Sequence, residues 1–245
     1  MTLITKLVGK NFSITAGEGC TVTDDRKIDE KLRKVYINKN VCIAFAGENW
    51  INEELTGKNI FLANLIENLL YENEEVSDCK KLVFRFLKWL KAQNSKLNSE
   101  LFISGISKND IQNIYVNTLK NSVNLYSVDN NTIKLNFSYH PSKEYKLLER
   151  HFFDMWENYF KLKTDGKLLF YNEIHTIENI CKFLELFYSE VWRFSIVRSF
   201  SIGKSKDIAI ISQNEAGFKN KENLTVSEIN MLPFNIALHD YIKVI

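Results

Sequence analysis

The apolar residues of this chain change period several times, and the order of the changes limits the folds open to it. Residues 3–8 and 12–16 are short β-prone runs around Gly9-Lys10-Asn11, a hairpin signal. "RKVYIN" and "VCIAFAG" form a second such pair around Asn38-Lys39-Asn40. The period then becomes helical. Leu62, Leu65, Ile66, Leu69 and Leu70 share one face, and Val83, Phe86, Leu87 and Leu90 share another, with "NEEVSD" between them. Four β-rich runs follow: "ELFISGI", "NIYVNTL", "NLYSV" and "TIKLNF". Leu148, Phe152, Met155 and Tyr159 then mark a third helix, and Ile177, Cys181, Leu184, Tyr188 and Val191 a fourth. "DIAIIS" returns to strand, and "NLTV" reads the same way. Segregated runs of this kind indicate α+β layers rather than βαβ winding. Two helix pairs need two sheet faces to cover, which a four-layer α-β-β-α sandwich supplies.

Composition narrows the function. With 245 residues, 45% hydrophobic, the chain can build a real core. Only 2 Pro and 9 Gly are present, and no linker, repeat or low-complexity tract interrupts it, so 1–245 reads as a single domain. A net charge of +2 gives no reason to expect nucleic acid or an anionic membrane as partner. The basic stretches around Lys80, Lys81 and Lys219 read as solvated faces. Lys6, Lys10 and Asn11 break the first apolar run, so it reads neither as a signal peptide nor as a membrane span. Cys20, Cys42, Cys79 and Cys181 form no CxxC pair, which suits reduced thiols and a cytoplasmic setting. Cys20 and Cys42 read as small hydrophobes rather than nucleophiles.

Most catalytic motifs are missing. Gly203-Lys204-Ser205 lacks the glycine a P-loop needs, because Arg198 stands in its place. There is no HExxH, GxSxG or GxGxxG. His140, His151, His175 and His239 have no ligand spacing, so neither metal nor cofactor is expected.

What remains begins with Thr2. Threonine is common as a second residue, and chance is one reading. The other is chemical: removal of Met1 would leave a hydroxyl nucleophile carrying its own α-amine as base. Glu18, in Ala16-Gly17-Glu18-Gly19, lies sixteen positions beyond Thr2, and Lys34, in "LRKVYI", thirty-two. Ala46-Gly47 closes "VCIAFAG" just ahead of the first helical run. In this joint register the segment from Thr2 to about Asn94 resembles a proteasome β-type subunit, HslV-like in style, of the N-terminal nucleophile (Ntn) hydrolase superfamily.

The resemblance implies the α-β-β-α sandwich and a threonine-type peptidase with no cofactor. Thr2 would be the nucleophile, Lys34 the cation that lowers its pKa, Glu18 the partner of Lys34, and the Gly47 amide the oxyanion donor. Ser201 would be a supporting residue. Thr21, Leu32, Tyr36, Phe45 and Asn49 would line the pocket for the residue before the scissile bond. It further implies a peptide or protein substrate, a homo-oligomeric ring, and an ATP-dependent unfoldase where substrates are folded. The departures are specific. Glu18 stands where the family has Asp, and "NFSYHPSKEY" lacks the family's Gly-Ser-Gly type segment. A later family Asp maps near Arg198 and has no counterpart. The stretch 216–245 is unmatched. Two further readings therefore stay open: a catalytically silent subunit of the same fold, and a non-enzymatic scaffold that binds partners.

Overall fold

The fold is described from a computed structural model, which describes residues 2–18, 21–22, 28–29, 33–38, 41–53, 58–72, 78–92, 97–107, 110–140, 145–198, 206–212, 230–234 and 242–243. The chain opens with strands β1 (Thr2–Gly9), β2 (Phe12–Glu18), β3 (Thr21–Val22), β4 (Ile28–Asp29), β5 (Val35–Asn38) and β6 (Val41–Gly47). A hairpin of β7 (Trp50–Glu53) and β8 (Lys58–Phe61) leads into helices α1 (Leu62–Glu72) and α2 (Cys79–Ala92). Then come β9 (Ser99–Ser107), β10 (Asp110–Asn117), β11 (Ser122–Tyr126) and β12 (Thr132–His140). Helix α3 (Tyr145–Phe160), strand β13 (Leu168–Leu169) and helix α4 (Ile177–Arg198) precede β14 (Lys206–Ser212), β15 (Asn230–Phe234) and β16 (Ile242–Lys243).

Among the described residues, strands and helices are segregated and every strand pairing is antiparallel, so the class is α+β. The larger sheet has seven strands in the order β13-β12-β1-β2-β14-β15-β16, and the smaller has five in the order β11-β10-β9-β6-β5. The hairpin β7–β8 was not legible as strand; it occupies the segment between Gly47 and the first helix. "NLTV" lies outside the described residues.

β1 and β2 mix apolar residues with Thr, Ser, Lys and Glu, and burial takes in the polar ones as well. Every residue of β1 and β2 is buried, which requires cover on both faces. On one face Leu3, Leu7, Ile14 and Ala16 pack with Leu148, Phe152 and Trp156 of α3 and Ile180, Leu184, Phe187 and Val191 of α4. Phe152 is the hub of this cluster, with the rings of Phe183 and Phe187 centred 5.1 and 5.0 Å away. On the smaller sheet, Val41, Ile43, Phe45, Leu101, Ile103 and Ile114 pack with Leu62, Ile66 and Leu70 of α1 and Leu82, Val83, Phe86 and Leu90 of α2.

A third apolar cluster joins the two sheets: Ile4, Ala209 and Ile211 from the larger, and Val35, Cys42, Ala44, Phe102 and Ile106 from the smaller. It is crossed by polar contacts. Ser13 and Ser104 share a hydrogen bond of 2.7 Å between their hydroxyls, and Ser104 donates to Asn113 Oδ1 at 3.0 Å. Lys6 also points into this layer. It is fully buried, donates from Nζ to the carbonyl of Ile103 at 2.9 Å, and is pushed down to about 7 by its burial.

Candidate functional site

Alternation along β1 puts Thr2 on the same face as Ile4, the face turned toward the other sheet. Thr2 is 2% exposed. The β1–β2 ladder pairs Ile4 with Gly17, so Glu18 comes to the head of β1. There its carboxylate accepts the main-chain N–H of Leu3 at 3.1 Å. This bond fixes the peptide that joins Thr2 to Leu3. Charge-assisted bonds of this type are about twice as strong as neutral ones.

Gly17 brings Lys34 to the same place. A Cβ on Gly17 would sit 2.7 Å from Ile4 Cδ1, 2.8 Å from Val35 Cγ2 and 3.5 Å from Lys34 Cβ. Only a residue without a side chain lets β2 approach the start of β5 so closely. Lys34 is 2% exposed, and its Nζ donates to Asn49 Oδ1 at 3.2 Å. The same ammonium stands 4.9 Å from the centre of the Phe45 ring, within cation–π range.

Gly47 ends β6 with φ +114°, a conformation L side chains rarely adopt. A Cβ there would also run into the carbonyl oxygen of Asn98 and lie 2.9 Å from Ser99 Cα. The turn beyond it is fastened by Glu48 N–H to Asn98 O at 3.0 Å and Ser99 Oγ–H to Glu48 O at 2.7 Å. Asn49 then accepts the Leu62 N–H on its carbonyl at 2.7 Å, which ties the turn to the start of α1.

The residues expected to line a substrate pocket fall into different places. Asn49 is Lys34's acceptor, a role its position in the sequence did not suggest. Tyr36 and Phe45 are buried, with rings centred 6.3 Å apart, and Tyr36 donates its hydroxyl hydrogen to the Arg33 carbonyl at 2.7 Å. Thr21 pairs with Asp29 in the short β3–β4 ladder, while Leu32 and Ser201 lie outside the described residues.

Sequence reading passed over Asp207. The β14–β2 register sets it opposite Gly17, and its carboxylate reaches Arg33 Nε at 3.3 Å. Burial pushes this carboxyl up to about 6, and Arg33 only partly offsets that. The head of "KDIAIIS" carried the only sequence signal, an acid at the start of an otherwise apolar strand. Cys42 lies in the layer between the sheets, where burial pushes its thiol up to about 12, so it is a poor nucleophile. Cys20 lies outside the described residues.

Among the described residues no three His, Cys, Asp or Glu side chains are grouped to hold a metal ion. Among them, too, no helix is long and apolar enough to cross a membrane. No protein-family model and no curated protein matches the chain. The functional reading therefore rests on the residues themselves.

Proposed function

We propose that the chain is a proteasome-like Ntn hydrolase, an α-β-β-α sandwich in which Thr2 cleaves peptide amide bonds once Met1 is removed. One observation carries this reading. Glu18 accepts the N–H of the peptide that joins Thr2 to Leu3, and the neighbouring Gly17 lets β2 close on Ile4, Val35 and Lys34.

In the proposed reaction, Thr2 Oγ attacks the scissile carbonyl carbon. Its proton passes to the freed α-amine of Thr2. The Lys34 ammonium favours the ionised hydroxyl by proximity of charge. The oxyanion faces the Gly47 amide, a donor of the kind whose loss costs about two to three orders of magnitude in rate. Collapse breaks the C–N bond, the amine leaves with the proton, and water then hydrolyses the ester on Thr2. Glu18 holds the Thr2–Leu3 peptide in place through its bond to the Leu3 N–H.

A silent subunit of the same fold is the second reading. It is favoured by Glu18, whose carboxylate is already engaged with the main chain of β1. Two measurements on the purified full chain separate the readings. Mass spectrometry should find Met1 gone, and hydrolysis of small peptide amides should vanish in Thr2→Ala. Retained Met1 together with absent hydrolysis would leave the silent subunit. Hydrolysis that survives Thr2→Ala would overturn the assignment of the nucleophile.

A further inference from the structure

The ion pair of Asp207 with Arg33 runs from one sheet to the other. Asp207 lies near the start of β14 in the larger sheet, and Arg33 stands two residues ahead of β5 in the smaller one. Across the larger sheet Ile4 pairs with Gly17, and Gly17 with Asp207. Directly opposed residues of an antiparallel ladder share a face, so Asp207 takes the face of Ile4, which packs in the layer between the sheets. Gly17, with no side chain of its own, leaves that face open to Val35 and Lys34. Asp207 therefore meets the smaller sheet at the residue just before Lys34.

The Arg33–Lys34 segment is also held from within its own sheet. The Arg33 carbonyl accepts the Tyr36 hydroxyl at 2.7 Å. The Lys34 carbonyl accepts the Phe45 N–H at 3.1 Å, one step beyond the β5–β6 ladder, which ends at Val35 and Ala44. A last rung of this kind is where a strand frays first. The Asp207 ion pair adds a hold on it from the larger sheet.

The two partners of that pair are unequal. The Asp207 side chain is 11% exposed and that of Arg33 is 40%. Arg33 stays charged at any working pH and can turn to solvent, whereas a charge on Asp207 costs desolvation. Of the charged groups around Asp207, Arg33 is the one that offsets its burial. Tyr36 of β5 is a further titratable group on that side, with Glu67 beside it, and the next rung of the ladder pairs Lys206 with Glu18. The direct ladder partners of Asp207, Gly17 and Pro233, carry no charge. Burial holds the Asp207 carboxyl at about 6, above its usual 3.8. The folded chain thus takes up this proton before the unfolded chain does, and mild acid cancels the ion pair without requiring unfolding.

We propose that Asp207 and Arg33 form a latch between the sheets that holds the Lys34 segment in place and opens when Asp207 takes up a proton. The latch follows from the packing of the two sheets and does not depend on Thr2 being a nucleophile.

Hydrogen exchange of the Phe45 amide tests it, because that N–H is bonded to the Lys34 carbonyl. Exchange is followed by NMR on the full chain and corrected for the intrinsic effect of pH. Protection of this amide should be about tenfold lower at pH 5 than at pH 7.5, the size of one charge-assisted bond. In Asp207→Asn it should be low at both pH values. Should that variant fail to fold, Arg33→Gln takes its place, since its side chain is the more exposed of the two, and should give the same result. Amides of the β1–β2 ladder should keep their protection throughout. Protection of Phe45 that does not change with pH, a pH step that survives in the variants, or a loss shared equally by the β1–β2 amides would overturn the proposal. Exchange reads the same in an active and an inactive chain, so failure of the hydrolase reading leaves this result standing.

Discussion

Replacing Lys6 by Met should stabilise the protein, and by an amount that depends on pH in a calculable way. Lys6 is wholly buried, its ammonium bonded to a single carbonyl, and burial lowers it from 10.5 to about 7. Below pH 7 both the folded and the unfolded chain carry the proton, and the folded chain bears the full cost of a buried charge. At about 1.36 kcal/mol per pKa unit, that cost is on the order of 5 kcal/mol at pH 6. As pH rises past 7 the folded lysine loses its proton while the unfolded one keeps it until about 10.5, so the cost falls. It drops by about 2 kcal/mol between pH 7 and pH 9. Met fills a similar volume without the charge, but it forgoes the bond to Ile103 O, worth about 1 kcal/mol. The gain from Lys6→Met should therefore be about 3 kcal/mol at pH 7 and about 1 kcal/mol at pH 9. Urea denaturation of both proteins at the two pH values measures it. The difference between the two gains is the sharper figure, because the lost hydrogen bond cancels from it. A gain that does not change with pH, or one that grows toward pH 9, would refute the claim that Lys6 is held near neutrality by burial.

The remaining predictions concern the candidate site. Glu18→Ala and Lys34→Ala should each destabilise by about 3–5 kcal/mol, because each leaves a buried charge without its surroundings. The double variant should lose less than the sum, and strictly additive losses in a denaturation cycle would show that the two residues are not coupled. Gly47→Ala should cost about 1–3 kcal/mol in stability from its positive φ alone, with the Asn98 carbonyl adding to it. A thermal melt unchanged from the parent would contradict the backbone geometry of that turn.

The parts of the fold legible in the sequence are those set by local period. The β1–β2 hairpin, the β5–β6 pair and all four helices announced themselves through runs of Leu, Ile, Val and Phe at spacing 2 or 3.6. The hairpin β7–β8 did not, because "WINE" and "KNIF" each set only two apolar residues, adjacent rather than alternating, beside two polar ones. Its stability comes from elsewhere: Ile51 and Ile60 pack against the cluster under α1 and α2, and Trp50 leans on Phe61 with ring centres 5.0 Å apart. The site divides along the same line. Thr2, Glu18, Lys34 and Gly47 are proposed from their register along the chain. The hydrogen bond of Ser138 to Glu100, 38 positions apart, forms only because two sheets stack at one register, and period says which face a residue occupies without saying what lies opposite. Lys6 shows the same limit from the other side. In sequence it looked like an interruption of an apolar run. Burial on both faces of β1 left it no exit to water, so the lysine had to reach across the layer to Ile103. A charge inside an unbroken β-run is then better read as a residue whose partner lies on another sheet than as a mark of exposure. The carboxylate at the head of "KDIAIIS" fits the same reading, since Asp207 is buried and finds Arg33 from a different strand segment.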